Sequence, residues 1–149
     1  MEIKFVKTDE LAKLPKRNND NGGEGDVGYD LFAVKNTTIP ARQSAVVPVG
    51  IKVGYVTPGY WFRVEARSGL GFKHSIMPHF GVIDQPYRGD LGIKLYNNSD
   101  TEQTITIGQA CAQIIVFEMI HADMAWIDGE DVQETVRGEK GFGASDKKG

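Results

Sequence analysis

The sequence predicts an all-β fold with at most one short helix. Strand-like segments, alternating or β-branched, recur along its whole length, and Gly and Pro interrupt them at short intervals. Apolar residues almost nowhere repeat at helical spacing. A chain of 149 residues is one domain's worth and long enough to bury a core.

Taken in order, Ile3–Lys7 alternates apolar and polar and reads as a strand. Asn18–Gly25, NNDNGGEG, reads as a mobile loop. Thr37–Val53 is β-branched and broken by Pro40, Pro48 and Gly50. Tyr60–Glu65 is a further strand, and Ser68–His74 the one short helix, with Ser68 as its N-cap. Phe80, Val82 and Ile83 lead into a tight hairpin, with Asp84 at its mouth and Tyr87 on the return side. Leu91–Tyr96, Gln103–Ile107 and Ala112–Ile120 complete the strands. Arg137–Gly149 is rich in Gly and charge and builds no core; Arg137, Lys140, Lys147 and Lys148 against Glu139 and Asp146 leave it net positive. Such a tail is disordered or folds over something anionic.

Hydrophobic content is 40% and charged content 25%, the balance of a globular protein. The net charge of −3 does not advertise nucleic-acid binding. No apolar stretch approaches bilayer-spanning length, so no membrane partner is expected. The N-terminus lacks the apolar core of a signal peptide, and a cytoplasmic location follows as the expectation. The single cysteine, Cys111, sits in an apolar run as a small core residue rather than a nucleophile. His74, His79 and His121 have no metal-ligand spacing.

Five short clusters carry chemistry. In FGVIDQPYRG, one acid beside one aromatic face suits activating a water next to a flat ring; alone, the stretch also reads as an ordinary hairpin with a solvated acid. Arg67-Ser68-Gly69 brings a guanidinium, a hydroxyl and a bare backbone to a helix start, either for phosphate or as a capped helix beside a surface arginine. Asp26-Val27-Gly28-Tyr29-Asp30 sets two acids on a turn, as hard oxygen ligands for Mg²⁺ or as partners of a nearby base. Gln113 enters an apolar run, where it reads a ligand edge or ties down backbone. Phe142, between two glycines, makes sense as a lid ring over a flat ligand, with Arg137 meeting its charge, or as a stray ring on a loose end.

In this order the five clusters resemble the motifs of the trimeric dUTP pyrophosphatases (dUTPases): GDVGYDLFA the first, RSGLGFKHSI the second, GVIDQPYRG the third, GQACAQII the fourth and RGEKGFG the fifth. The resemblance runs from about Asp26 to the C-terminus. It implies a distorted jelly-roll β-barrel over residues 1–136 and a flexible C-terminal arm over 137–149 that closes an active site of another subunit. It implies hydrolysis of dUTP to dUMP and pyrophosphate by a homotrimer. Asp84 would then orient and deprotonate the water that attacks the α-phosphorus. Tyr87 would pack under the deoxyribose and exclude a 2′-hydroxyl. Backbone of Gly81, Val82 and Ile83 would bond uracil. Arg67, Ser68, Gly69 and Gln113 would hold the triphosphate, and Asp30 would meet the cofactor Mg²⁺ through water. Phe142 would stack on uracil beside Gly143, with Arg137 and Ser145 near the γ-phosphate. A bacterial or phage-infected cytosol suits such an enzyme.

The chain departs from the family pattern in three places. Ala144-Ser145-Asp146 stands where Ser-Thr-Gly is common, Lys140 replaces a frequent glycine, and Met77-Pro78-His79-Phe80 replaces smaller residues. A dCTP deaminase has a similar fold, but the strand LGIKLYN carries Lys94 where that family's glutamate would stand. A dUTPase-like subunit with an added regulatory binding role is the third reading; its usual sign, a long private insertion, is not obvious.

Overall fold

Period-two alternation builds the two longest inner strands. From Val47 to Val53 every second residue is buried (Val47, Val49, Ile51, Val53), and the same holds for Leu91, Ile93, Leu95 and Asn97. The computed structural model describes residues 1–143. In chain order it contains β1 (Ile3–Lys7), β2 (Asp20–Asn21), β3 (Glu24–Gly25), β4 (Tyr29–Phe32), β5 (Thr37–Ile39), β6 (Ser44–Val56), β7 (Tyr60–Glu65), α1 (Ser68–His74), β8 (Ile76–Pro78), β9 (Gly81–Ile83), β10 (Asp90–Asn97), β11 (Gln103–Ile105) and β12 (Ala110–Glu118).

All pairings are antiparallel. One four-stranded sheet has the order β1-β6-β10-β8 and the other β4-β12-β7-β9, with β5 and β11 as a separate pair. Leu31, Phe62, Val64 and Ile114 from one sheet and Val47, Val53, Ile93 and Leu95 from the other share a single buried cluster. Phe5 meets Phe62 edge-on across the two layers, ring centroids 6.5 Å apart. The all-β prediction with one short helix therefore holds, in a jelly-roll-like arrangement whose sheets are not joined into a closed barrel.

Several boundaries differ from expectation for local reasons. Thr37–Val53 is two strands, separated by a turn in which Gln43 N–H donates to Pro40 C=O and Arg42 adopts a φ of 62°. Pro48 and Gly50 do not break β6. Pro48 turns its backbone polar groups away from β10, its C=O accepting the Val34 N–H at 3.0 Å, so its missing N–H costs no β10 ladder bond. Gly50, at φ 68°, falls where the β10 register jumps, and acts as a bulge. Asn18–Gly25, expected as a loop, contains the exposed two-residue ladder of β2 and β3. Ser68 is not the N-cap of α1: Arg67 holds that position in extended conformation, without a side-chain cap, because a guanidinium only donates and cannot accept from the helix N–H groups. The hairpin expected at Asp84 is not one ladder: β9 pairs with β7 whereas β10 pairs with β6 and β8, so the turn crosses between sheets.

Asn97, fully buried, organises the loops at one end. Its Nδ2 donates to Ile39 O and Thr101 O at 2.9 Å and to Pro40 O at 3.3 Å, while its Oδ1 accepts from Ser99 N and Oγ. After Glu118 the chain leaves the sheet, and Ile120, Met124, Trp126, Ile127, Val132 and Val136 are all exposed. Among the described residues no helix is long and apolar enough to cross a membrane.

Candidate active site

Strand register gathers the first half of the site. Gln113 lies opposite Asp30 on one side and opposite Glu65 on the other, so β4, β12 and β7 set these three side by side. Two residues beyond Glu65, Arg67 turns back and its Nε donates to Asp30 Oδ1 at 2.8 Å. Asp30 is only 5% exposed, and this cation offsets its burial. The fork of Arg67 keeps its two Nη groups for a further anion. Gln113 Nε2 donates to the carbonyl of Ala66 at 2.7 Å, fixing the backbone immediately before Arg67. Of the two uses open to Gln113, tying down backbone is the one seen. A side chain on Gly28 would overlap the Gln113 amide, which explains a glycine that sequence reasoning had left without a role.

These residues line one open cavity of about 530 Å³, shared by Asp26, Gly28, Asp30, Arg67, Ser68 and Gln113. Gly69 also borders it, with open space where a side chain would stand. The cavity is polar and combines hard carboxylate oxygens with a guanidinium. Among the described residues no three His, Cys, Asp or Glu side chains converge as a metal cage. Mg²⁺ needs none, since it keeps most of its waters and binds through one or two carboxylates plus phosphate oxygens. Asp30 and Asp26 fit that mode. Cys111, beside this site, is buried, and burial pushes its thiol up to about 12. It is a core residue and no nucleophile at neutral pH.

The second half of the site lies elsewhere. Gly81, Val82 and Ile83 form β9, an edge strand whose outer backbone groups have no ladder partner among the described residues. Asp84 follows, exposed, and its carbonyl accepts the Tyr87 N–H at 3.0 Å to close a four-residue turn. Gln85 Nε2 donates to Val56 O at 2.9 Å, and Arg88 Nη1 donates to Gln85 O and Tyr87 O at 2.7 and 2.8 Å. The bonds by which Gln85 and Arg88 hold this turn end on backbone carbonyls, which motif reading does not show.

One chain does not bring the two halves together. Ile83 pairs with Phe62, so Asp84 stands across from Trp61. Arg67 is six residues further along, at about 3.3 Å per residue roughly 20 Å away.

The tail residues stand apart from both halves. Arg137 Nε donates to Lys140 O at 2.8 Å, and Arg137, Lys140, Gly141 and Gly143 enclose a small hollow of about 170 Å³. Phe142 adopts φ 51° with its ring wholly exposed. Ser145, with Ala144 and Asp146, lies outside the described residues.

Comparison with known proteins identifies the family and the fold. The family model described as dUTPase matches residues 15–146. A deoxyuridine 5'-triphosphate nucleotidohydrolase of Arabidopsis thaliana is 38% identical over 143 residues, covering 96% of this chain and 82% of that protein. A protein of the same name from Oryza sativa subsp. japonica is 40% identical, with 96% and 80% covered. Among solved structures, a Staphylococcus bacteriophage 80alpha dUTPase with dUpNHpp shares the fold at TM-score 0.83 and 23% identity, covering 97% and 98% of the two chains. A mutant dUTPase from phage phi11 of S. aureus, described with a structural Mg(II) ion, does so at TM-score 0.75 and 21% identity, covering 89% and 100%.

Proposed function

This chain belongs to the dUTPase family, and from that premise we propose that it hydrolyses dUTP to dUMP and pyrophosphate as a Mg²⁺-dependent homotrimer. The observation that carries the reading is the convergence of Asp30, Arg67, Ser68, Gly69 and Gln113 on one polar cavity. These residues are scattered over the sequence, and together they suit a polyanion far better than a neutral ligand.

Arg67 binds the triphosphate through its free Nη groups, held in place by Asp30. Ser68 and Gly69 offer a hydroxyl and close backbone approach. Gln113 keeps that backbone in position. Asp30 would hold Mg²⁺ through water together with phosphate oxygens, and the ion would supply charge neutralisation. The unpaired edge of Gly81, Val82 and Ile83 presents alternating donors and acceptors to the edge of uracil. The Tyr87 ring lies under the deoxyribose and leaves no room for a 2′-hydroxyl. Asp84 takes the proton of the water as its oxygen attacks the α-phosphorus. The bond from that phosphorus to the bridging oxygen breaks, and pyrophosphate leaves.

A site shared between copies is supported by the separation of about 20 Å between Asp84 and Arg67 along antiparallel neighbours, and three copies are what the family resemblance implies. A complete site then needs Asp84 from a second copy. The exposed apolar residues from Ile120 to Val136 also favour packing against another copy. Residues 137–149 serve as the closing arm, with Phe142 and Gly143 over the base and Arg137 and Ser145 at the γ-phosphate. The lone, buried thiol suits a reducing cytoplasm.

Product analysis with dUTP, dCTP, dTTP and UTP in the presence of Mg²⁺ tests this. We expect dUMP and pyrophosphate from dUTP alone at high rate. Ammonia from dCTP, or equal turnover of dTTP, would overturn it. Light scattering of the active protein should give three times the 16.4 kDa chain mass.

A further inference from the structure

Gly89 has no conformational reason to be a glycine. Its φ lies outside the left-handed region, so an L side chain is tolerated by the backbone there. What forbids one is Tyr87. A Cβ on Gly89 would overlap the Tyr87 Oη and stand 2.5 Å from Cζ and 3.0 Å from Cε1. The α-carbon of Gly89 is therefore the floor on which the phenol rests. Gly89 is itself immobilised, because its carbonyl accepts the Val53 N–H of β6 at 3.0 Å. The phenol is held at its far end too, where Oη donates to Asp90 O at 2.8 Å. Only 39% of Tyr87 is exposed, despite its place in a surface turn.

From this contact we propose that Gly89 is a specificity-determining positioning residue, setting the angle of the Tyr87 ring and through it the rejection of ribonucleotides. The inference rests on the reading of Tyr87 as the surface under the sugar. Steric exclusion of one hydroxyl works only if the excluding surface holds its place, and a displacement of about 1 Å is enough to spoil it. The atoms that an added methyl would meet are the far end of a side chain rather than backbone. The ring therefore swings off its floor and loses Asp90 O, while the strands keep their pairing.

The experiment measures kcat/KM for dUTP and for UTP in wild type, Gly89→Ala, Tyr87→Ala and the double variant. Gly89→Ala should lower the dUTP/UTP ratio by about ten- to a hundredfold. In the Tyr87→Ala background the same change should leave the ratio unaltered, since coupled residues are not additive. A wild-type ratio in Gly89→Ala overturns the proposal, as does an equal loss in both backgrounds. A wild-type ratio in Tyr87→Ala instead overturns the reading of Tyr87 itself. If Gly89→Ala does not fold, the double variant decides: with the ring gone the methyl should be accommodated. Failure to fold there would locate the need for glycine in the backbone and overturn the proposal.

Discussion

Equal mixing of two impaired variants measures whether the site is divided between chains. Asp84→Asn removes the base while keeping its shape, and because Asp84 is exposed the fold loses nothing. Turnover should fall by roughly a hundred- to ten-thousandfold. Arg67→Lys keeps a cation beside the buried Asp30 but loses the fork that meets phosphate. A charge-assisted hydrogen bond contributes roughly 1.5–3 kcal/mol, so its loss lowers kcat/KM by about ten- to a hundredfold. With Asp84 about 20 Å from Arg67 in one chain, the proposed site would draw the two from different copies. After co-refolding of equal amounts, half of the phosphate pockets keep Arg67, and half of the turns facing them keep Asp84. About one quarter of the sites then hold both, and activity should rise to about a quarter of wild type. The assay is pyrophosphate release from dUTP before and after mixing, with light scattering to confirm assembly. Activity equal to the mean of the parents would mean that both residues serve the same chain's site, and the argument from register would fall.

Deleting the chain after Val136 should leave a folded trimer by light scattering but cut dUTP turnover severely, because closure positions the phosphates; full activity would refute the arm. Gly28→Ala drives the Gln113 amide off Ala66 O, so KM for dUTP should rise about tenfold with thermal stability little changed. Asn97→Ala empties a satisfied polar hub, and the two amide hydrogens shared among three carbonyls, at about 1 kcal/mol per donor, make urea unfolding about 2 kcal/mol easier. Cys111 ionises from about 9 when exposed but only near 12 when buried. Folding raises this pKa, so its stabilisation is complete below pH 9 and is lost as pH climbs towards 12; a Cys111→Ala variant should show a flatter decline over that window.

Local pattern made some elements legible. The strand Tyr60–Glu65 and the short helix Ser68–His74 are written in adjacent residues, and both appear with the expected bounds. The chemical types gathered in the cavity were equally readable, since guanidinium and carboxylate groups are given by residue identity. Less of its arrangement was. Gln113 sits between Asp30 and Glu65 only because β12 enters between β4 and β7, partners about 80 and 50 residues upstream. Gly28 and Gly89 owe their identity to side chains that lie on them, one of them 85 residues away in sequence.

The sequence by itself thus determined the all-β character, the short helix Ser68–His74, and which residues carry charge, because periodicity and residue type are local properties. The tertiary structure alone decided which strands pair. That choice sends β9 to one sheet and β10 to the other, and sets Asp84 and Arg67 at opposite ends of adjacent strands. The physical reason is register: antiparallel pairing fixes distance through hydrogen bonds between segments remote in sequence, and no property of either segment alone encodes it.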